Sequence, residues 1–226
     1  MLLHGYNVNE VNWEHVVWGN PPGEPGRIPT AVAVTLEENA EILLLFGSSI
    51  GQERCGEWVS SGRWMAELLS VRFEQLKEFT ILRALQSFSL KQINRKIKKT
   101  FKLIEEPDRP ANTVGELQAA ARIIHEQGIQ KLICVSSKDH VSRIIRDALV
   151  VFEGDPLIVS HVSVRAAATL YTKEDGITPS ARASVANVVV IEPRATVGPR
   201  AQRMFGIGNN PQALAEIDAV LKKYGK

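Results

Sequence analysis

Short continuous runs of apolar and β-branched residues punctuate the chain at positions 15–18, 42–46, 132–135, 157–162 and 188–191. Because these runs do not alternate with polar residues, they predict strands covered on both faces, the signature of a mainly parallel sheet. Helical spacing lies between them. Val114, Leu117, Ala121 and Ile124 recur at that spacing and Gly128 follows, which predicts a helix over 114–127. From 57 to 104 the pattern is mostly helical and carries no strong strand, with Trp64, Leu68, Leu69, Phe73 and Leu76 on one apolar face. This predicts a helical insertion or cap around 57–100. Leu214, Ile217 and Leu221 predict a last amphipathic helix over 211–224. The expected fold class is α/β, a Rossmann-like three-layer fold with a mainly parallel sheet and helices on both faces. No stretch rich in Gly, Ser and Pro divides the chain, so a single domain over 1–226 is expected.

Composition narrows the classes without naming a chemistry. A chain of 226 residues with 44% hydrophobic and 23% charged residues can bury a full core, which excludes disordered and fibrous classes. Lys+Arg 27 against Asp+Glu 25 leaves a net charge of +2, so any nucleic-acid or membrane contact must rest on a local patch. Two cysteines, Cys55 and Cys134, make no disulfide framework. No apolar run approaches the roughly 18 residues of a membrane span. The expectation is a cytoplasmic protein without a transmembrane segment.

In open α/β sheets ligands bind beyond the carboxyl ends of the strands, which directs attention to the polar residues that follow each apolar run. These are Gly19-Asn20, Gly47-Ser48-Ser49, Ser136-Ser137-Lys138-Asp139-His140, and Ser163 with Arg165, together with the loop from Glu105 and Glu106 to Asn112 and Thr113. Small residues there let backbone N–H groups approach a phosphate or carboxylate, and they are equally the residues that tight turns prefer. Thr113-Val114-Gly115-Glu116 has the form of a capping box, which assigns Thr113 and Glu116 a structural role and leaves Asn112 freer. His140 has a side chain able to exchange protons near neutral pH, and Arg143 either binds an anion or pairs with Asp139 four residues earlier.

Other templates fail. Neither GxGxxG, GxxxxGK[ST] nor GxSxG occurs, and His4, His15, His125, His140 and His161 lack HExxH spacing, so no metal site is expected. His161 reads as a packed strand residue and Cys55 as a small buried one. From 91 to 102, Lys91, Arg95, Lys96, Lys98, Lys99 and Lys102 occur without an acid while Leu90, Ile93, Ile97 and Phe101 repeat at helical spacing. This is a basic amphipathic helix, read first as a solvated face and second as a docking face for nucleic acid, an anionic membrane or an acidic partner.

The order of these pieces resembles the YdcF/SanA/ElyC-like family, a widespread bacterial domain of unknown function with a Rossmann-like fold. The resemblance is carried by Val16-Val17-Trp18-Gly19, Arg27, Leu44-Leu45-Phe46-Gly47-Ser48, Glu106, Asn112-Thr113-Val114-Gly115-Glu116, and Ser136-Ser137 followed by His140 and Arg143. A second glycine after Gly19 is missing, and Ser48 stands where another glycine is common. The resemblance implies a crevice for a small anionic or nucleotide-like ligand such as S-adenosylmethionine and carries over no catalytic scheme; hydrolase and transferase are the reaction classes considered for the chain. The expected arrangement has Arg27 and Arg143 neutralising the anion, Asn112 and Ser137 orienting it, and His140 exchanging a proton. Gly19, Gly47, Ser48, Glu106, Thr113 and Ser136 complete the candidate crevice. The rival expectation is a non-catalytic interaction module that uses the basic helix.

Overall fold

Alternating side chains on three adjacent strands divide the interior into two cores. In the computed structural model, which describes residues 1–105, 112–153 and 162–170, these strands are β1 (Leu2–Leu3), β4 (Leu43–Phe46) and β8 (Leu132–Ser137). Leu3, Leu43, Leu45, Ile133 and Val135 point into one core, and Leu2, Leu44, Phe46, Leu132 and Cys134 into the other. Since every position is buried, the sequence shows continuous apolar runs although the strand period is two. With β7 (Phe101–Ile104) and β9 (Val162–Ala167) they form a five-stranded sheet in the order β7-β4-β1-β8-β9. All four pairings are parallel.

The first core is covered by α2 (Arg27–Glu37), α3 (Ser61–Val71), α4 (Arg83–Ser87) and α5 (Leu90–Thr100), which supply Ile28, Val32, Met65, Leu85 and Ile93. The second is covered by α6 (Thr113–Gln127) and α7 (Val141–Val151), which supply Leu117, Ile124, Ile144 and Ala148. This is the Rossmann-like three-layer arrangement. The described residues all fall in a compact unit spanning Met1–Ile191. The region read as an insertion contains α3, a 3₁₀ turn at Phe73–Glu78, α4 and α5, and these helices form the crossover from β4 to β7. Among the described residues no helix is long and apolar enough to cross a membrane.

The structure changes several sequence expectations. Residues 15–18 are not a strand: α1 (Trp13–Val17) occupies this segment, with Trp13, Val16 and Val17 buried at helical spacing. The short β1 was overlooked because two leucines make too brief a signal, and β7 was overlooked because the charged Lys102 interrupts it. Two small antiparallel pairs were also missed, β2 (Gly19–Asn20) with β3 (Glu24–Pro25) and β5 (Gly51–Arg54) with β6 (Glu57–Ser60). At Val162 the expected strand is present, and it extends to Ala167, so Ser163 and Arg165, read as following a strand, lie within one. Residues 157–161, the run at 188–191, the helix over 211–224 and Glu106 lie outside the described residues.

Candidate functional site at the sheet switch point

Counted in chain order, the five sheet strands stand third, second, first, fourth and fifth, and the order reverses between β1 and β8. In open α/β sheets such a reversal opens a crevice at the carboxyl ends of the two strands, because the crossovers leave on opposite faces. Leu3 pairs with Val135 and the His4 N–H donates to the Val135 carbonyl oxygen at 3.1 Å, so His4 follows β1 beside the end of β8. A cluster of buried polar side chains occupies this place, where the apolar alternation of both strands gives way to His4, Ser136 and Ser137.

On the α6 and α7 side, His4 Nδ1 lies 2.5 Å from Glu116 Oε2, and the other carboxylate oxygen accepts the Gly5 N–H at 3.0 Å. Ser136 Oγ is 2.9 Å from His140 Nδ1, and Thr113 Oγ1 is 3.2 Å from His140 Nε2. The two imidazoles meet edge to face with centroids 6.1 Å apart. Burial, followed by the nearby Arg27 guanidinium and then by Arg143 and Arg146, holds His140 well below the ordinary histidine value of 6.5. A neutral His140 has one donor and one acceptor nitrogen, so one hydroxyl donates to it and the other accepts from it.

On the α2 side, Arg27 opens the helix and is itself 1% exposed. Its Nε donates to Ser137 Oγ at 2.9 Å, and its Nη1 donates to the Gly5 carbonyl oxygen at 2.6 Å and to that of His4 at 3.4 Å. The guanidinium also lies 5.0 Å from the centre of the Tyr6 ring. Burial pushes the Tyr6 hydroxyl up to about 12, with Arg27 acting in the opposite direction. Arg143 Nε sits 3.4 Å from Asp147 Oδ2 and both are buried in α7.

The structure brings together Arg27, Thr113, Ser136, Ser137 and His140, with Arg143 buried on the helix that follows, and adds His4 and Glu116. It also revises the capping assignment. Asn112, not Thr113, is the N-cap of α6, accepting the Gly115 N–H at 2.9 Å on Oδ1. Thr113 and Glu116 are thereby released to face His140 and His4.

Gly19 and the pair Gly47-Ser48 are placed elsewhere. Gly19 has φ +90° within the β2–β3 pair, and an added Cβ would sit 2.0 Å from the Glu24 carbonyl oxygen, so it serves that turn. Gly47 and Ser48 follow β4, where Ser48 Oγ accepts the Ile50 N–H at 3.0 Å and Ser60 Oγ donates to Glu105 Oε1 at 2.7 Å beside Gly47. Among the described residues no group of three or more His, Cys, Asp or Glu could hold a metal ion. His4 was missed because its strand was missed: it is a polar residue directly after an apolar pair, the signal applied to every other strand.

Comparison of the chain with protein-family models, with curated proteins and with solved structures found no match.

Proposed function

We propose that this is a small-molecule-binding protein of the YdcF-like type, which takes an anionic or nucleotide-like ligand such as S-adenosylmethionine at the carboxyl ends of β1 and β8, with hydrolase or transferase as the class of any reaction it would catalyse there. The observation that carries this reading is the buried polar cluster at the reversal of strand order, which is where open α/β sheets take their ligands. Arg27 and Arg143 supply positive charge at the cluster, and the first turns of α2 and α6 add backbone partial charge of the same sign. His140, kept neutral, is suited to accept a proton or to fix the Ser136 and Thr113 hydroxyls. Thermal melting with S-adenosylmethionine, nucleotides, sugar phosphates and divalent metals tests the reading. A ligand at about 100 times its dissociation constant adds about 2.7 kcal/mol, and Arg143→Ala should reduce that gain. No shift with any member of the panel overturns the reading.

A second reading rests on α5. Ile93 and Ile97 are buried, while Lys91, Arg95, Lys98 and Lys99 are exposed and, among the described residues, pair with no acid. This face suits an anionic macromolecule. Binding to DNA or RNA that weakens steeply with salt would favour it.

A further inference from the structure

One polar atom in the switch-point cluster has no protein partner. His4 is fully buried, yet its Nε2 makes no hydrogen bond, while the Nδ1 of the same ring is held by Glu116 at 2.5 Å. Buried polar atoms are paired with few exceptions, and an orphan at the reversal of strand order marks a place where a ligand or an ordered water completes the pairing. The surroundings define what that partner must be. Because the Glu116 carboxylate accepts the Nδ1 hydrogen, a neutral His4 presents its lone pair at Nε2, the arrangement in which a carboxylate fixes the tautomer of an imidazole. Glu116 is itself fixed by the Gly5 N–H on its second oxygen, so the ring cannot easily turn over. An acceptor held in this way calls for a hydroxyl donor.

We propose that His4 Nε2 accepts a hydrogen bond from a hydroxyl of the bound ligand, with Glu116 as the positioning residue, so that the crevice selects a phosphorylated or otherwise anionic ligand bearing a free sugar hydroxyl. This rests on the proposed ligand-binding function and names the ligand class more narrowly. Ser136 and Thr113 do not compete for the role, because their hydroxyls are already engaged by His140.

The test compares AMP with its 2′,3′-dideoxy analogue by titration calorimetry on the full chain. Wild type should bind AMP at least tenfold more tightly. In His4→Asn, whose amide reproduces the Nδ1 donor to Glu116 but has nothing at the Nε2 position, that preference should vanish. In His4→Gln, whose Oε1 can occupy the Nε2 position as an acceptor, part of it should return. Nitrogen NMR of the free protein at pH 8 should show His4 protonated at Nδ1 and bare at Nε2, and Glu116→Gln should weaken that tautomer preference. Equal affinity for the two nucleotides in wild type, or a preference that survives in His4→Asn, overturns the proposal while leaving ligand binding at the crevice in place. A free protein with Nε2 protonated also overturns it. Failure of both nucleotides to bind removes it together with the nucleotide form of the proposed function.

Discussion

Arg27 Nε and Ser137 Oγ, 110 residues apart in the chain, lie 2.9 Å apart and tie the first residue of α2 to the last residue of β8. The same guanidinium holds the Gly5 carbonyl oxygen at 2.6 Å, so one side chain fixes the chain after β1 against the end of β8 at the point where the strand order reverses. A buried charge of this kind is maintained by its hydrogen bonds, and removing it strands every acceptor it served.

Arg27→Met, which keeps much of the volume and none of the donors, should therefore destabilise the fold by about 3 kcal/mol. Arg27→Lys should cost less, since an ammonium can satisfy some of the acceptors without the planar fork. Urea unfolding followed by tryptophan fluorescence measures both. A midpoint unchanged in Arg27→Met would show that the guanidinium does not hold the two strand ends together.

The sheet was legible where a strand is long and dry: 42–46 and 132–135 contain no polar residue, and both are central strands. It was illegible at β1, where two leucines carry the whole signal, and at β7, where Lys102 marks an edge strand by its charge. The site followed the same rule. Ser136, Ser137 and His140 were found because β8 was found, and His4 was lost with β1. The role of Glu116 could not be read locally, since its partner lies 112 positions away and the local pattern already offered the capping box. The basic helix was legible at both levels, because Ile93 and Ile97 bury one side and the lysines solvate the other.

Gly62 shows a packing constraint that opposes helix propensity. It lies in the first turn of α3, where Gly→Ala would ordinarily stabilise a helix by roughly 0.5–1 kcal/mol. Here an added Cβ would stand 2.4 Å from the Phe46 carbonyl oxygen, at the end of β4. Backbone must move to admit it, so Gly62→Ala should destabilise by about 1–3 kcal/mol. A rise in melting temperature for this variant would mean that α3 is free to draw back from the sheet.

The two cysteines should differ sharply in reactivity. Cys55 is exposed in the turn between β5 and β6, whereas Cys134 is fully buried in β8 and burial pushes its thiol up to about 12. At pH 8 a disulfide reagent should modify one thiol of the native protein rapidly and the second only as the chain unfolds, because the thiolate is the reacting species. Cys55→Ser should abolish the rapid phase. Two rapid phases in wild type would contradict the burial of Cys134.

His140 gives stability a definite pH dependence. Its folded value lies well below the unfolded 6.5, chiefly through burial and then through the adjacent positive charges. Between those two values the unfolded chain holds a proton that the folded chain does not, so stability increases with pH across the window. The contribution is complete above about pH 6.5 and is lost as pH falls toward the folded value, at a slope approaching about 1.4 kcal/mol per pH unit. His140→Gln should remove this part of the profile. It should also lower stability at pH 8, because the amide cannot serve both Ser136 and Thr113 with the imidazole's geometry. Urea unfolding of both proteins between pH 4.5 and 8 provides the comparison. Parallel profiles would mean that His140 takes up its proton as readily in the folded chain as in the unfolded one.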